Sequence, residues 1–99
     1  MVDVRHQTPA GARSKAEKSI PRLIVYWREL PENAAQISSW DNGEALTYVE
    51  EWRHWESKRH DIESYAKAGL LTNEQLNQLA ELRELVEQHK PTLDQLLSR

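Results

Sequence analysis

Cysteine and phenylalanine are both absent from this 99-residue chain, and glycine occurs only three times. The first absence excludes disulfides and thiolate chemistry, and it leaves the redox compartment without a signature. With glycine confined to Gly11, Gly43 and Gly69, no glycine-rich loop can cradle a phosphate. No apolar run approaches the roughly 18 residues that a membrane span requires. The first residues also lack the apolar core of a signal peptide, so a cytoplasmic protein is the expectation. Nor does any nucleophile–base arrangement emerge. Ser14, Ser19, Ser38, Ser39, Ser57, Ser64 and Ser98 fall in a predicted tail, turns or exposed helix faces, with no strand-to-helix elbow beside them. The expectation is a protein with no catalytic residues, no metal and no cofactor.

What the chain does have is helical periodicity over its last 56 residues, from Glu44 to Arg99. Ala45, Val49, Trp52, Trp55, Ile62 and Ala66 recur at three- and four-residue steps, with Arg59 in the one polar slot. Leu79, Leu82, Val86, His89, Leu93 and Leu96 do the same, close to a coiled-coil seam. Between the two runs Gly69 suits a helix C-cap, and Thr72 with Gln75 forms a capping box. The pattern predicts two long helices, 44–68 and 72 onward, in an antiparallel hairpin. Pro91 should kink the second helix without ending it, because the heptad phase continues to Leu93 and Leu96.

The stretch Tyr65-Ala66-Lys67-Ala68-Gly69-Leu70-Leu71-Thr72-Asn73-Glu74-Gln75-Leu76 resembles the helix–Gly–Leu–Thr–helix hairpin of the short C-terminal modules of bacteria. It departs from that family at Gln75-Leu76, where Glu-Phe is usual, and at Leu79, where a lysine is usual. The resemblance implies oligomerisation rather than catalysis.

Before the hairpin, residues 1–18 hold Pro9, Gly11 and few apolar side chains, and are expected to form a flexible tail. Ala12 to Lys18 offer a backward extension of the next helix. A single helical domain is expected over 19–99. Its first helix starts near Ser19-Ile20-Pro21, buries Ile20, Leu23, Ile24, Trp27 and Leu30, and stops before Pro31. A second short helix follows over 31–38. Asp41 or Asn42 should then cap the first long helix. The predicted fold class is all-α: a small helical bundle built on the hairpin with one or two short N-terminal helices.

Charge is unevenly spread on a chain of net charge −3 and mean hydropathy −0.81. Residues 1–19 hold four Lys/Arg (Arg5, Arg13, Lys15, Lys18) against two acids; the rest holds nine against fourteen. A basic tail on an acidic body can touch nucleic acid, although this charge density is low for it. Glu51 and His54 form a Glu-x-x-His pair, the spacing that lets two ligands reach one metal from one helix. No second such pair accompanies it, since Ser57 and Val86 stand three before His60 and His89. His54 and His60 are otherwise solvated partners of Glu50 and Glu56, and His89 is a half-buried histidine at the kink.

Four tryptophans in so small a chain serve as core or as interface anchors. An apolar content of 38% is low for a compact monomer, and Leu70, Leu71, Leu85 and Leu97 lie off the main stripe. Those leftovers predict a homodimer through the hairpin faces, with Trp52, Trp55, Leu71, Leu85 and Leu97 as its interface. The leading functional expectation is a non-enzymatic interaction or oligomerisation module. The alternatives are a nucleic-acid-associated regulator that uses the basic tail and a metal-binding helical protein that uses Glu51 and His54.

Overall fold

A computed structural model describes residues 8–98. They form three α-helices and no strand: α1 (Pro9–Gln36), α2 (Asn42–Lys67) and α3 (Asn73–Leu97), with a 3-10 turn at Ile37–Ser39 between the first two. The all-α class is therefore as expected. No helix among the described residues is long and apolar enough to cross a membrane.

The largest departure from expectation is α1. A mobile tail, a helix over 20–30 and a short helix over 31–38 are replaced by one 28-residue helix that runs through Pro21 and Pro31. Thr8 caps it, its hydroxyl accepting from the Gly11 amide at 3.0 Å, and Pro9 opens the first turn. Each internal proline removes one helical hydrogen bond and costs about 3 kcal/mol in an isolated helix. Burial outweighs that cost. Ile20, Leu23, Trp27 and Leu30 are fully buried, and Ile37 is buried just beyond the helix end. Each such side chain contributes roughly 1.5–3 kcal/mol. Residues 9–18, expected to be a tail, are helical for the same kind of reason: Ala12 and Ala16 extend the buried stripe one and two turns backwards. Residues 1–7 of that tail, Arg5 among them, lie outside the described residues.

At the turns between the helices the local signals behave as predicted. Gly69 has φ +75°. The Gly69 and Leu70 amides donate to the carbonyls of Ala66 and Tyr65, the paired bonds of a Schellman motif. Thr72 and Gln75 then exchange the two bonds of a capping box at 3.1 Å each. Asp41 caps α2, its carboxylate accepting from the Glu44 amide at 2.8 Å. That bond holds the Asp41 carboxyl below its ordinary range. α3 passes through Pro91 and buries Leu93 and Leu96 on its far side.

The three helices run up, down, up. Gln75 Nε2 donates to the Arg13 carbonyl at 2.9 Å, and Arg13 Nε donates to the Leu70 carbonyl at 3.1 Å, so the starts of α1 and α3 lie together. At the opposite end Ala34 and Ile37 meet Thr92 and Leu96. α1 and α3 are thus parallel and pack along one another, with Ala12 and Ala16 fully buried at the end where both helices start. α1 is the central element: it contributes seven buried residues, whereas α2 contributes three, Trp52, Ile62 and Tyr65.

The predicted hairpin is antiparallel, but its arms do not make the core between themselves. α2 and α3 touch at few places. Within α2 Arg59 holds Glu56 through two bonds of 2.8 and 2.9 Å, and Lys90 reaches across from α3 to stand 3.6 Å from the same carboxylate. Farther along, Arg83 clasps Glu63. The polar slot at Arg59 cannot fill an apolar seam, so α1 supplies the surface that both arms bury against. Burial pushes the Glu56 carboxyl up, but the Arg59 guanidinium outweighs it and holds the group below the glutamate range.

Candidate functional site

All four tryptophans, Tyr26 and Tyr48 form one continuous ring cluster along the α1/α2 face. Trp40 meets Tyr48 at 5.3 Å, Trp52 meets Trp27 edge-on at 5.1 Å, and Tyr26 lies 4.7 Å from Trp55 at a 38° tilt. Three polar atoms of the cluster, Trp27 Nε1, Trp52 Nε1 and Tyr48 Oη, are buried with no hydrogen-bond partner among the described residues. Each costs roughly 1–3 kcal/mol of desolvation. The deep members of the cluster are therefore spacers that hold α2 away from α1, and the shallow members line what opens between the two helices.

The opening is a cleft of about 380 Å³. Lys15, Lys18 and Arg22 stand along its α1 wall, Lys58 and Asp61 on its α2 wall, and Trp55, Ile62 and Tyr65 at its base. Ile62 and Tyr65 are buried and Trp55 is partly so. The residue spacing of 3 and 4 between 15, 18 and 22 puts the α1 cations in one line, with axial steps of roughly 4.5 and 6 Å. Among the described residues that line the cleft, four are cations and one, Asp61, is a carboxylate, on a chain whose net charge is −3. Among the described residues Lys18, Arg22 and Lys58 enter no ion pair, unlike Arg28, Arg59, Arg83 and Lys90. Arg22 also borders a shallower depression on α1, lined by Pro21, Val25, Tyr26 and Glu29. Val25 is 49% exposed there.

The residues expected to form a homodimer interface are placed differently from one another. Trp52 is 1% exposed, enclosed by Tyr26, Trp27 and Tyr48, and Leu71 is 7% exposed at the α2–α3 turn. Both spend their surface inside the chain: Trp52 packs on the Tyr26–Trp27 face of α1, and Leu71 turns inward at the α2–α3 turn. Leu85 and Leu97 are partly buried against the core, and Trp55 lines the cleft. Glu51 and His54 are both exposed and diverge, Glu51 toward Trp40 and Asp41, His54 toward the cleft. No group of three or more His, Asp or Glu side chains that could hold a metal occurs among the described residues. His89 is half-buried.

Sequence reasoning missed the cation line because it ended the ordered chain at residue 19. The signal was present: Lys15, Lys18 and Arg22 run beside Ala12, Ala16 and Ile20, about a third of a turn round the same helix. Compared with known proteins, the chain matches no family model, no curated protein and no solved structure.

Proposed function

We propose that this chain is a non-enzymatic interaction module that receives an anionic partner along its α1/α2 face. The observation that carries the reading is the cleft. Lys18, Arg22 and Lys58 are held around a partly exposed tryptophan with no ion pair inside the described chain, while the remaining surface is acidic on balance. Cations so grouped raise the local concentration of an opposite charge and give it orientation. Ser19 and His54 share the cleft, but no hydrogen bond joins them among the described residues, so no nucleophile–base pair is set up.

The homodimer rested on leucines and a tryptophan left in water. With Trp52 and Leu71 enclosed, the exposed large apolar residues are Val25, Leu46 and Leu76, one on each helix. They do not form one patch, and the anionic partner is the better-supported reading. Lys15 and Lys18 were half of the cations that suggested nucleic acid, and here they belong to the cleft rather than to a tail.

The test is an amide-shift titration by NMR with short poly-L-glutamate as the probe. Shifts should concentrate in residues 15–22 and 54–62, fade as salt is added, and vanish in the Arg22→Glu, Lys58→Glu double variant. Shifts scattered over the molecule, or none, would refute the reading.

A further inference from the structure

We infer that the occupant of the α1/α2 face is an acidic amphipathic helix of another protein, which lies along the groove and adds a fourth helix to the bundle. The inference rests on the anion-binding reading above and goes beyond it in naming shape, class and anchors. Three observations bear on it.

The first is that the charged cleft has an apolar neighbour. Arg22 also borders a shallow depression on α1 over Pro21, Val25 and Tyr26, and Val25 is one of three large aliphatic side chains left exposed in the described chain. A ligand that was only an anion would use the Lys15–Arg22 end and leave this apolar end uncovered. A helix with carboxylates toward one end and leucine-like side chains toward the other covers both. From Lys15 to Val25 the groove runs roughly 15 Å, or about three helical turns. Anchors at helical spacing seated in a groove between two helices are a standard mode of peptide recognition.

The second concerns Trp55. Tyr26 lies over its ring at 4.7 Å and His54 approaches at 5.6 Å. A base of a single-stranded nucleic acid needs an open aromatic face on which to stack. The Trp55 indole is already engaged by these two rings, and what it offers the cleft suits an aliphatic side chain better than a stacked base. The ring cluster beneath also keeps the wall rigid, so little side-chain freedom is lost on docking.

The third excludes a second copy as occupant. The exposed acids of α3 (Glu74, Glu81, Glu84, Glu87) are the chain's own candidate for such a helix face, but α3 packs on the other side of α1 from the groove. Docking one copy's α3 into another's groove would be head-to-tail, so a pair of copies would leave a groove and an α3 free and would grow into a ring or a filament rather than stop at a two-fold dimer. Copies of net charge −3 also repel one another.

Three probes decide the matter, with binding followed by fluorescence anisotropy of the labelled probe at low salt. One is a helical peptide with glutamates in its first two turns and leucines at i, i+4 and i+7 beyond them. The second is poly-L-glutamate of the same length, and the third is an oligothymidylate. The leucine peptide should bind at least tenfold tighter than poly-L-glutamate and gain helical circular dichroism on binding. Val25→Ser, at an exposed position that should leave the thermal midpoint unchanged, should cost the leucine peptide roughly tenfold and poly-L-glutamate less than twofold. If poly-L-glutamate binds and the leucine peptide binds no better, the helix inference fails while the anion-binding reading survives. If neither binds, both fail. Tighter binding of oligothymidylate, or a particle mass that climbs with protein concentration, would overturn the inference in favour of nucleic acid or self-association.

Discussion

Replacing Ala16 by leucine tests the part of the fold on which the cleft depends. Ala16 is fully buried on the face of α1 that closes against α3, one turn from the Arg13 carbonyl that Gln75 holds. Alanine and leucine differ by only a few tenths of a kcal/mol in helix propensity. In a solvated or frayed segment the exchange would therefore be nearly neutral. In the close α1–α3 join three added heavy atoms have no room, and overpacking of this kind costs about 1–3 kcal/mol. For a domain of this size each kcal/mol lowers the thermal midpoint by about 4–8 °C. A fall of roughly 4 °C at the least, and over 10 °C for a cost near the middle of the range, is expected in melts followed by circular dichroism. The same exchange at exposed Ser14 supplies the control and should leave the midpoint unchanged. If Ala16→Leu melted with the parent protein, the start of α1 would not be packed on α3. The Lys15–Lys18 wall of the cleft would then have no fixed position.

Gly69→Val should lose about 1 kcal/mol or more, since the position has φ +75° while no atom lies within 4 Å of an added Cβ; the cost is backbone strain alone. Gly69→Asn, which tolerates that region better, should lose less, and equal chemical-denaturation midpoints for the two variants would contradict the assignment. Acid should destabilise the fold through Glu56 and Glu63. Arg83 holds the Glu63 carboxyl, and Arg59 the Glu56 carboxyl, below the ordinary glutamate value of 4.5. The unfolded chain therefore takes up these protons first. The contribution is complete above about pH 4.5 and is lost as pH falls through the depressed folded-state values. The Glu56→Gln, Glu63→Gln double variant should show a flatter stability–pH curve below that point, and a curve of unchanged slope would count against the two ion pairs.

How much of this protein its sequence determined follows the range of the interactions. The turn from Tyr65 to Gln75 was legible residue by residue, because its Schellman and capping-box bonds join groups no more than five residues apart. The Asp41 cap and the passage of α3 through Pro91 were legible for the same reason, the latter because the heptad phase survives the proline. α1 was not legible as one element. Pro21 and Pro31 are local stop signals, and what overrides them is burial of Leu23, Trp27, Leu30 and Ile37 against helices that begin many residues later. Ala12 and Ala16 carry too little apolar surface to announce a core face, and their value lies in what they permit, the close approach of α3. The interface drawn through Trp52 and Leu71 did not account for how fully these two side chains are enclosed within the chain, Trp52 against Tyr26, Trp27 and Tyr48. The cleft needed tertiary structure altogether. Lys15, Lys18 and Arg22 become one wall of a site only when the folded chain sets them beside Trp55 and Lys58, more than thirty residues away in sequence. Periodicity sets which side of a helix is apolar. Which helix that side meets, and so which charges are left facing one another, is decided by how all three fill a common core.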